Sequence, residues 1–158
     1  MVEPMKLPAS KLQSPPNSQA ATPSPVILLV EDESMVREVT SEVLQLAGYH
    51  VLQSSGPEEA LRVAKEHEGQ IGLLLTDVIM PGMNGADLAH HLQVKQPDLI
   101  TVFMSGYAEN DVLRNMRRQS VIHIQKPFTV DVLLSRVAEA LGADATTRPN
   151  TNLSGLSA

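Results

Sequence analysis

Three acids, one lysine and one serine stand at the ends of short apolar runs, and together they could carry phosphoryl chemistry. Glu31 and Asp32 follow Val26-Ile27-Leu28-Leu29-Val30, and Asp77 follows Ile71-Gly72-Leu73-Leu74-Leu75 and Thr76. Ser105 follows the run 99–104, and Lys126 follows Val121-Ile122-His123-Ile124-Gln125. If these runs are parallel strands, the polar residues meet at one sheet edge, outside the strand carboxyl ends, where open α/β sheets bind ligands. Carboxylates brought together there raise one another's pKa unless a cation is present. A hard divalent ion resolves that charge, and Mg2+ takes one or two carboxylates, waters and a phosphate oxygen. A carboxylate can attack phosphorus to form an aspartyl phosphate. The metal and the Lys126 ammonium would stabilise charge on the transferring group. Ser105 could donate a hydrogen bond to a phosphoryl oxygen, with Gly106 leaving room for it.

The elements that must position these residues alternate along the chain. Strands are predicted over 26–30, 50–54, 71–76, 99–104 and 121–125. Helices are predicted over 34–47, 57–67, 86–95, 110–118 and 130–141. The first helix carries Val36, Val39, Val43 and Ala47 on one stripe and stops at Gly48. Pro57 suits a first helical position, with Glu58 and Glu59 favourable at the positive helix end. Pro81-Gly82 and Asn84-Gly85 read as loop punctuation. Val130, Leu133, Leu134, Val137 and Leu141 form the stripe of the last helix, closed by Gly142. Continuous apolar strands are buried on both faces. Strand–helix alternation through five rounds predicts a parallel sheet covered by helices, and right-handed crossovers put all strand carboxyl ends on one side.

Composition narrows the function classes. The chain has 158 residues, net charge −6 and no cysteine, so thiolate metal sites, disulfides and thiol catalysis are excluded. An acidic chain is a poor nucleic-acid binder, because phosphate affinity comes mainly from Lys and Arg. No stretch approaches the roughly 20 apolar residues of a membrane helix, and no apolar segment follows Lys6 and Lys11 to make a secretory signal. A cytoplasmic location is expected. Residues 1–25 hold Pro4, Pro8, Pro15, Pro16, Pro23 and Pro25 among small polar residues, and 144–158 are similarly polar. Both read as tails that cannot offset their ordering entropy, flanking one domain over 26–143.

Four segments resemble the receiver domain of bacterial two-component response regulators: Leu29-Val30-Glu31-Asp32-Glu33, the run from Thr76-Asp77 to Asn84-Gly85, Met104-Ser105-Gly106-Tyr107 and Lys126-Pro127-Phe128. Their order and spacing make the match specific over almost all of 26–142. The resemblance implies a flavodoxin-like (βα)5 doubly wound sheet of strand order 2-1-3-4-5. It implies Asp77 as phosphoacceptor, Glu31 and Asp32 as the magnesium-binding pair with Asp77, and the backbone carbonyl of Ile79 as a further ligand. Lys126 matches the lysine that contacts the phosphoryl group, and Ser105 the switch hydroxyl. The bond before Pro127 is typically cis in the family. His123 stands where the family most often has Tyr or Phe, and Gln119-Ser120 replace a frequent Gly-Ala pair. Both departures lie on the output side, and Ser105 with His123 are the candidate movers of the switch. The Ser-Gly-Tyr-Ala-Glu-Asn run resembles receivers of hybrid histidine kinases.

The function expected is therefore a phosphorelay switch rather than an enzyme. Its phosphodonor would be a cognate histidine kinase. Its target would be a downstream protein or a histidine phosphotransfer protein, since only about 15 polar residues follow Gly142. A monomer or a phosphorylation-dependent homodimer is expected, with no nucleic acid and no membrane. An isolated receiver piece of a hybrid kinase is the alternative. An Asp-nucleophile magnesium phosphatase of the haloacid-dehalogenase kind would want Asp-x-Asp where Glu31-Asp32-Glu33 stands, and a flavodoxin would want a phosphate loop there. Other residues have plainer readings. Neighbours at i and i+1 do not share a helix face, so His90-His91 is not a metal pair. His50 and His67 read as surface or boundary residues, and Arg114, Arg117 and Arg118 as a solvated or partner-facing basic face. Ile79 and Tyr107 should flank the path of attacking water and favour a long-lived phosphoryl group.

Overall fold

The computed structural model describes residues 24–106 and 121–142. Strands β1 (Val26–Val30), β2 (His50–Ser54), β3 (Ile71–Asp77), β4 (Ile100–Ser105) and β5 (Ile122–Gln125) alternate with helices α1 (Ser34–Leu46), α2 (Pro57–Glu66), α3 (Gly85–Lys95) and, after β5, α4 (Val130–Ala140). The five strands form one sheet in the order β2-β1-β3-β4-β5. Each neighbouring pair is parallel. The predicted helix over 110–118, with Arg114, Arg117 and Arg118, lies outside the described residues, as do Tyr107, Gln119 and Ser120 and the two expected tails except Pro25 and Ser24.

The sheet is buried on both faces. Leu28, Val30, Leu74 and Phe103 pack under α2 and α3 with Ala60, Leu88 and Leu92. Ile27, Leu29, Leu75, Met104 and Ile124 pack under α1 and α4 with Leu44, Leu133 and Val137. This two-sided burial is why β1 and β3 read as unbroken apolar runs.

The stripe predicted for α1 is displaced. Thr40, Ser41 and Leu44 face the core, whereas Val39 is 56% exposed and Ala47 lies exposed at the helix C-cap. Of the predicted stripe, Val43 packs against the core and Val36 is half-buried, while Thr40 and Ser41 hold inner positions that hydrophobicity alone assigns to Val39 and Ala47. The hydroxyl of Ser41 has no partner among the described residues. On α4, Val130 is likewise exposed rather than buried, while Leu133 and Val137 carry the contact. The displaced stripe gives a direct test by urea denaturation. Leu44→Ala is expected to cost about 2–5 kcal/mol, and Val39→Ala to change stability by less than about 0.5 kcal/mol.

Candidate functional site

Backbone bonds carry the sheet one residue past three strand ends, and so fix where the polar residues stand. The Glu31 N–H donates to the Ser54 carbonyl at 3.1 Å, Val78 N–H to the Met104 carbonyl at 3.0 Å, and Lys126 N–H to the Ser105 carbonyl at 2.8 Å. Asp77, the last residue of β3, sits opposite Met104 and is 5% exposed. The Lys126–Pro127 peptide is cis, as the resemblance implied.

The side chains converge. Lys126 Nζ lies 2.6 Å from Glu31 Oε2 and 2.5 Å from Asp77 Oδ1. Glu31 is 1% exposed, and its other oxygen accepts the Glu33 N–H at 3.1 Å. Carboxylate oxygens of Glu31, Asp32 and Asp77 lie within 4.8 Å of one another, with Asp32 open to solvent. Among the described residues this is the group of acids able to hold a metal. The electrostatics follow from burial. Burial pushes Asp77 up to about 8; hydrogen bonding to Glu31 and its charge add to that, and Lys126 only partly offsets it. Burial also works to raise Glu31, but bonds from Asp77, Lys126 and the Glu33 N–H outweigh it and hold that carboxyl below its ordinary value. For Lys126, burial would lower the value, but Asp77 and Glu31 outweigh it and raise it. The site therefore favours a proton on Asp77 over one on Glu31, which is the better partner for the Lys126 charge. One ammonium does not neutralise the cluster. The remaining donors are hard oxygens, the set that Mg2+ prefers, so the residues present fit that ion.

Ser105 closes β4, is fully buried, and its hydroxyl is hydrogen-bonded to His123 Nε2 on β5. Ile79, two residues beyond Asp77, is 54% exposed, so its position is open to solvent. His90 and His91 are both exposed on α3 and His50 is exposed at the start of β2, while His67 is half-buried with Nδ1 on the Val63 carbonyl. None joins the acidic cluster.

Sequence reading missed Gly85. Asn84-Gly85 is not loop punctuation: Asn84 caps α3, its side chain accepting the Asp87 N–H at 2.8 Å, and Gly85 is the first helical residue. Gly85 N–H donates to the Val78 carbonyl at 2.7 Å, and a Cβ at Gly85 would stand 2.0 Å from the Asp77 carbonyl oxygen. The start of α3 is thus pressed against the end of β3 at Asp77, which only a residue without Cβ allows. The cap spacing was the available signal; the close approach had none. Two more supports are the Thr76 hydroxyl on the Asp77 carbonyl at 3.0 Å and the Arg37 guanidinium on the Glu31 carbonyl at 2.8 Å. Gly85→Ala is expected to cost about 3 kcal/mol and to slow labelling at Asp77 about 100-fold, because a shift of about 1 Å spoils attack geometry. Gly56→Ala, where a Cβ meets nothing within 4 Å, should cost at most about 1 kcal/mol as the N-cap of α2 and leave labelling unchanged.

Comparisons with known proteins agree with this geometry. The profile of the response regulator receiver domain matches residues 27–138. The sensor kinase CckA of Brucella abortus is 37% identical over 119 residues, covering 75% of this chain and 13% of that protein. The response regulator receiver protein CpdR of the same species is 32% identical over 121 residues, covering 73% of this chain and 95% of that protein. The chain thus spans a small share of CckA and nearly all of CpdR. Among solved structures, the receiver domain of the hybrid histidine kinase CckA superposes with a TM-score of 0.63 at 35% identity, over 73% of this chain and 98% of that one. A receiver domain from Clostridium thermocellum superposes with a TM-score of 0.69 at 25% identity, over 75% and 94%. Among the described residues no helix is long and apolar enough to cross a membrane. With five parallel strands in the order 2-1-3-4-5 and a lysine between two carboxylates at their ends, the chain belongs to the response regulator receiver family of two-component signalling.

Proposed function

We propose that this receiver accepts a phosphoryl group on Asp77 from the phosphohistidine of a cognate histidine kinase. The observation that carries this reading is the Lys126 ammonium held between Glu31 and Asp77 at 2.6 and 2.5 Å, at the sheet edge where a transferring group would lie. Asp77, its proton given up to solvent, attacks phosphorus through one carboxylate oxygen; that bond forms as the histidine N–P bond breaks, and the electron pair returns to the imidazole. Lys126 loses its contact with the Asp77 carboxylate and follows the charge onto a phosphoryl oxygen. Ser105 donates to a second phosphoryl oxygen. Asp32, Asp77, the backbone carbonyl of Ile79 and, through a water, Glu31 would hold Mg2+, which when bound supplies neutralising charge to the phosphoryl oxygens. Glu31 keeps Lys126 aimed at the site throughout. The exposed side chain of Ile79 has no group to orient a hydrolytic water, which supports a slow loss of the phosphoryl group.

Phosphorylation would then alter partner binding through Ser105, His123 and the chain joining β4 to β5, or the group would pass on to a histidine phosphotransfer protein. Similarity to the CckA receiver supports the relay, and also the reading of the chain as a receiver piece of a hybrid kinase. A cytoplasmic site of action follows from the phosphodonor. The test is incubation with radiolabelled acetyl phosphate and Mg2+, followed by peptide mapping. A hydroxylamine-sensitive label on the Asp77 peptide, with no turnover of p-nitrophenyl phosphate, is the expected result. Steady turnover of that ester would favour the phosphatase reading, and a label elsewhere would reject the site.

A further inference from the structure

We infer that His123 is a positioning residue for the Ser105 hydroxyl and that phosphoryl binding at Asp77 is coupled through this pair to uptake of a proton by His123. The inference deepens the phosphoacceptor reading and rests on it.

The pair is built into the sheet. Phe103 stands opposite His123 and Ser105 opposite Gln125 in the β4–β5 register. Phe103 and Val121 belong to the core under α2 and α3; strand alternation puts Ser105 and His123 on that same face. Ser105 is fully buried, and among the described residues the partner of its hydroxyl is His123 Nε2. A hydroxyl has one hydrogen, and a buried donor left without an acceptor is costly. Satisfying it here requires Nε2 to accept, which is the neutral imidazole with its proton on Nδ1.

That one hydrogen is also what a phosphoryl oxygen at Asp77 needs from Ser105. Neutral His123 therefore competes with the phosphoryl group. Protonated His123 donates from both ring nitrogens, so the bond reverses: Nε2–H points at the Ser105 oxygen, and the hydroxyl hydrogen is released toward the phosphoryl group. The proton comes from solvent, and no other bond changes. Ser105 can serve both neighbours only when His123 is charged. By linkage, each event strengthens the other by the same factor. A tyrosine or phenylalanine at this place could not do this, because neither takes up a proton near neutral pH.

Among the described residues, the charged surroundings leave His123 as the titrating partner of Ser105. β4 has no ionisable side chain. On α3, which packs on the same face, Asp87, His90, His91 and Lys95 are exposed. On α4, Asp131, Arg136 and Glu139 lie across the sheet, since Leu133 and Val137 pack on the opposite core. Beyond the strand ends Lys126 is engaged by Glu31 and Asp77. The chain from β4 to β5, outside the described residues, carries Glu109, Asp111, Arg114, Arg117 and Arg118.

The test measures the affinity of the full chain for beryllofluoride with Mg2+ between pH 5.5 and 8, for wild type, His123→Gln, Ser105→Ala and Asp77→Asn. Gln can donate or accept but does not titrate, so the ratio of wild-type to His123→Gln affinity cancels the pH dependence of the probe and of the acidic cluster. That ratio is expected to rise about fivefold from pH 8 to pH 5.5, the worth of one hydrogen bond. In 15N spectra, beryllofluoride should raise the proton affinity of His123 by the same factor, and Ser105→Ala should abolish that response. A flat ratio, or an unchanged His123 titration in labelled wild type, overturns the inference and leaves the phosphoacceptor reading standing. Persistence of the response in Ser105→Ala overturns it too. Equal beryllofluoride binding by wild type and Asp77→Asn removes the phosphoacceptor reading, and the inference with it.

Discussion

Asp77→Asn is expected to reduce phosphoryl incorporation from acetyl phosphate to background while the protein remains folded. The change removes the nucleophilic oxygen and keeps the size of a side chain that is 5% exposed, so the packing at the end of β3 survives. It also removes the less favourable of two adjacent buried carboxyls. Asp77 is pushed up to about 8, burial first and Glu31 second, so the folded state binds its proton more tightly than the unfolded chain, whose ordinary value is 3.8. The stability this proton contributes is fully present below that ordinary value, declines as pH rises above it, and is lost as pH passes through 8. In chelator, wild type should therefore show a falling urea midpoint between about pH 4 and 8, and Asp77→Asn should lose most of that slope. At pH 9 the variant should be the more stable by about 1 kcal/mol or more, because a buried carboxylate with half a counter-ion has been neutralised. A variant that labels like wild type would remove Asp77 as acceptor, and equal pH slopes would remove the electrostatic account.

Magnesium affinity should fall steeply with acid. The same proton on Asp77 competes with the metal, so below pH 8 each bound ion must displace it. The expected result by calorimetry is about a tenfold loss of affinity between pH 7 and pH 6, a plateau above pH 8, and release of close to one proton per ion at pH 7 in buffers of different ionisation enthalpy. Asp77→Asn should bind more weakly and without that slope, and excess chelator should slow phosphoryl labelling of wild type by the same order as acidification. Labelling that runs equally well in chelator would contradict the metal's part in the chemistry. A pH-independent affinity would show that Asp77 is ionised before the metal arrives.

Much of this molecule was legible from residue order. Unbroken apolar runs such as 26–30 and 71–76 can be stable only between two layers, and their alternation with helical stretches admits few topologies besides a parallel sheet. Once the sheet is parallel, Glu31, Asp77 and Lys126 must share an edge, so the site could be read before any contact was known. Distance and burial were decided in three dimensions. Lys126 reaches Glu31 across 95 positions of sequence, and the proton on Asp77 is set by the exclusion of water from a pocket that no local pattern describes. The inner face of α1 went to Thr40, Ser41 and Leu44, whereas hydrophobicity favoured Val39. Gly85 looked like a turn, yet what requires glycine is the Asp77 carbonyl where a Cβ would be. The bond between Ser105 and His123 likewise arises from the register of β4 on β5. Sequence pattern determines what each element must bury and therefore the order of the layers. Contacts between elements depend on side-chain volume and strand register, and these are settled only when the elements meet.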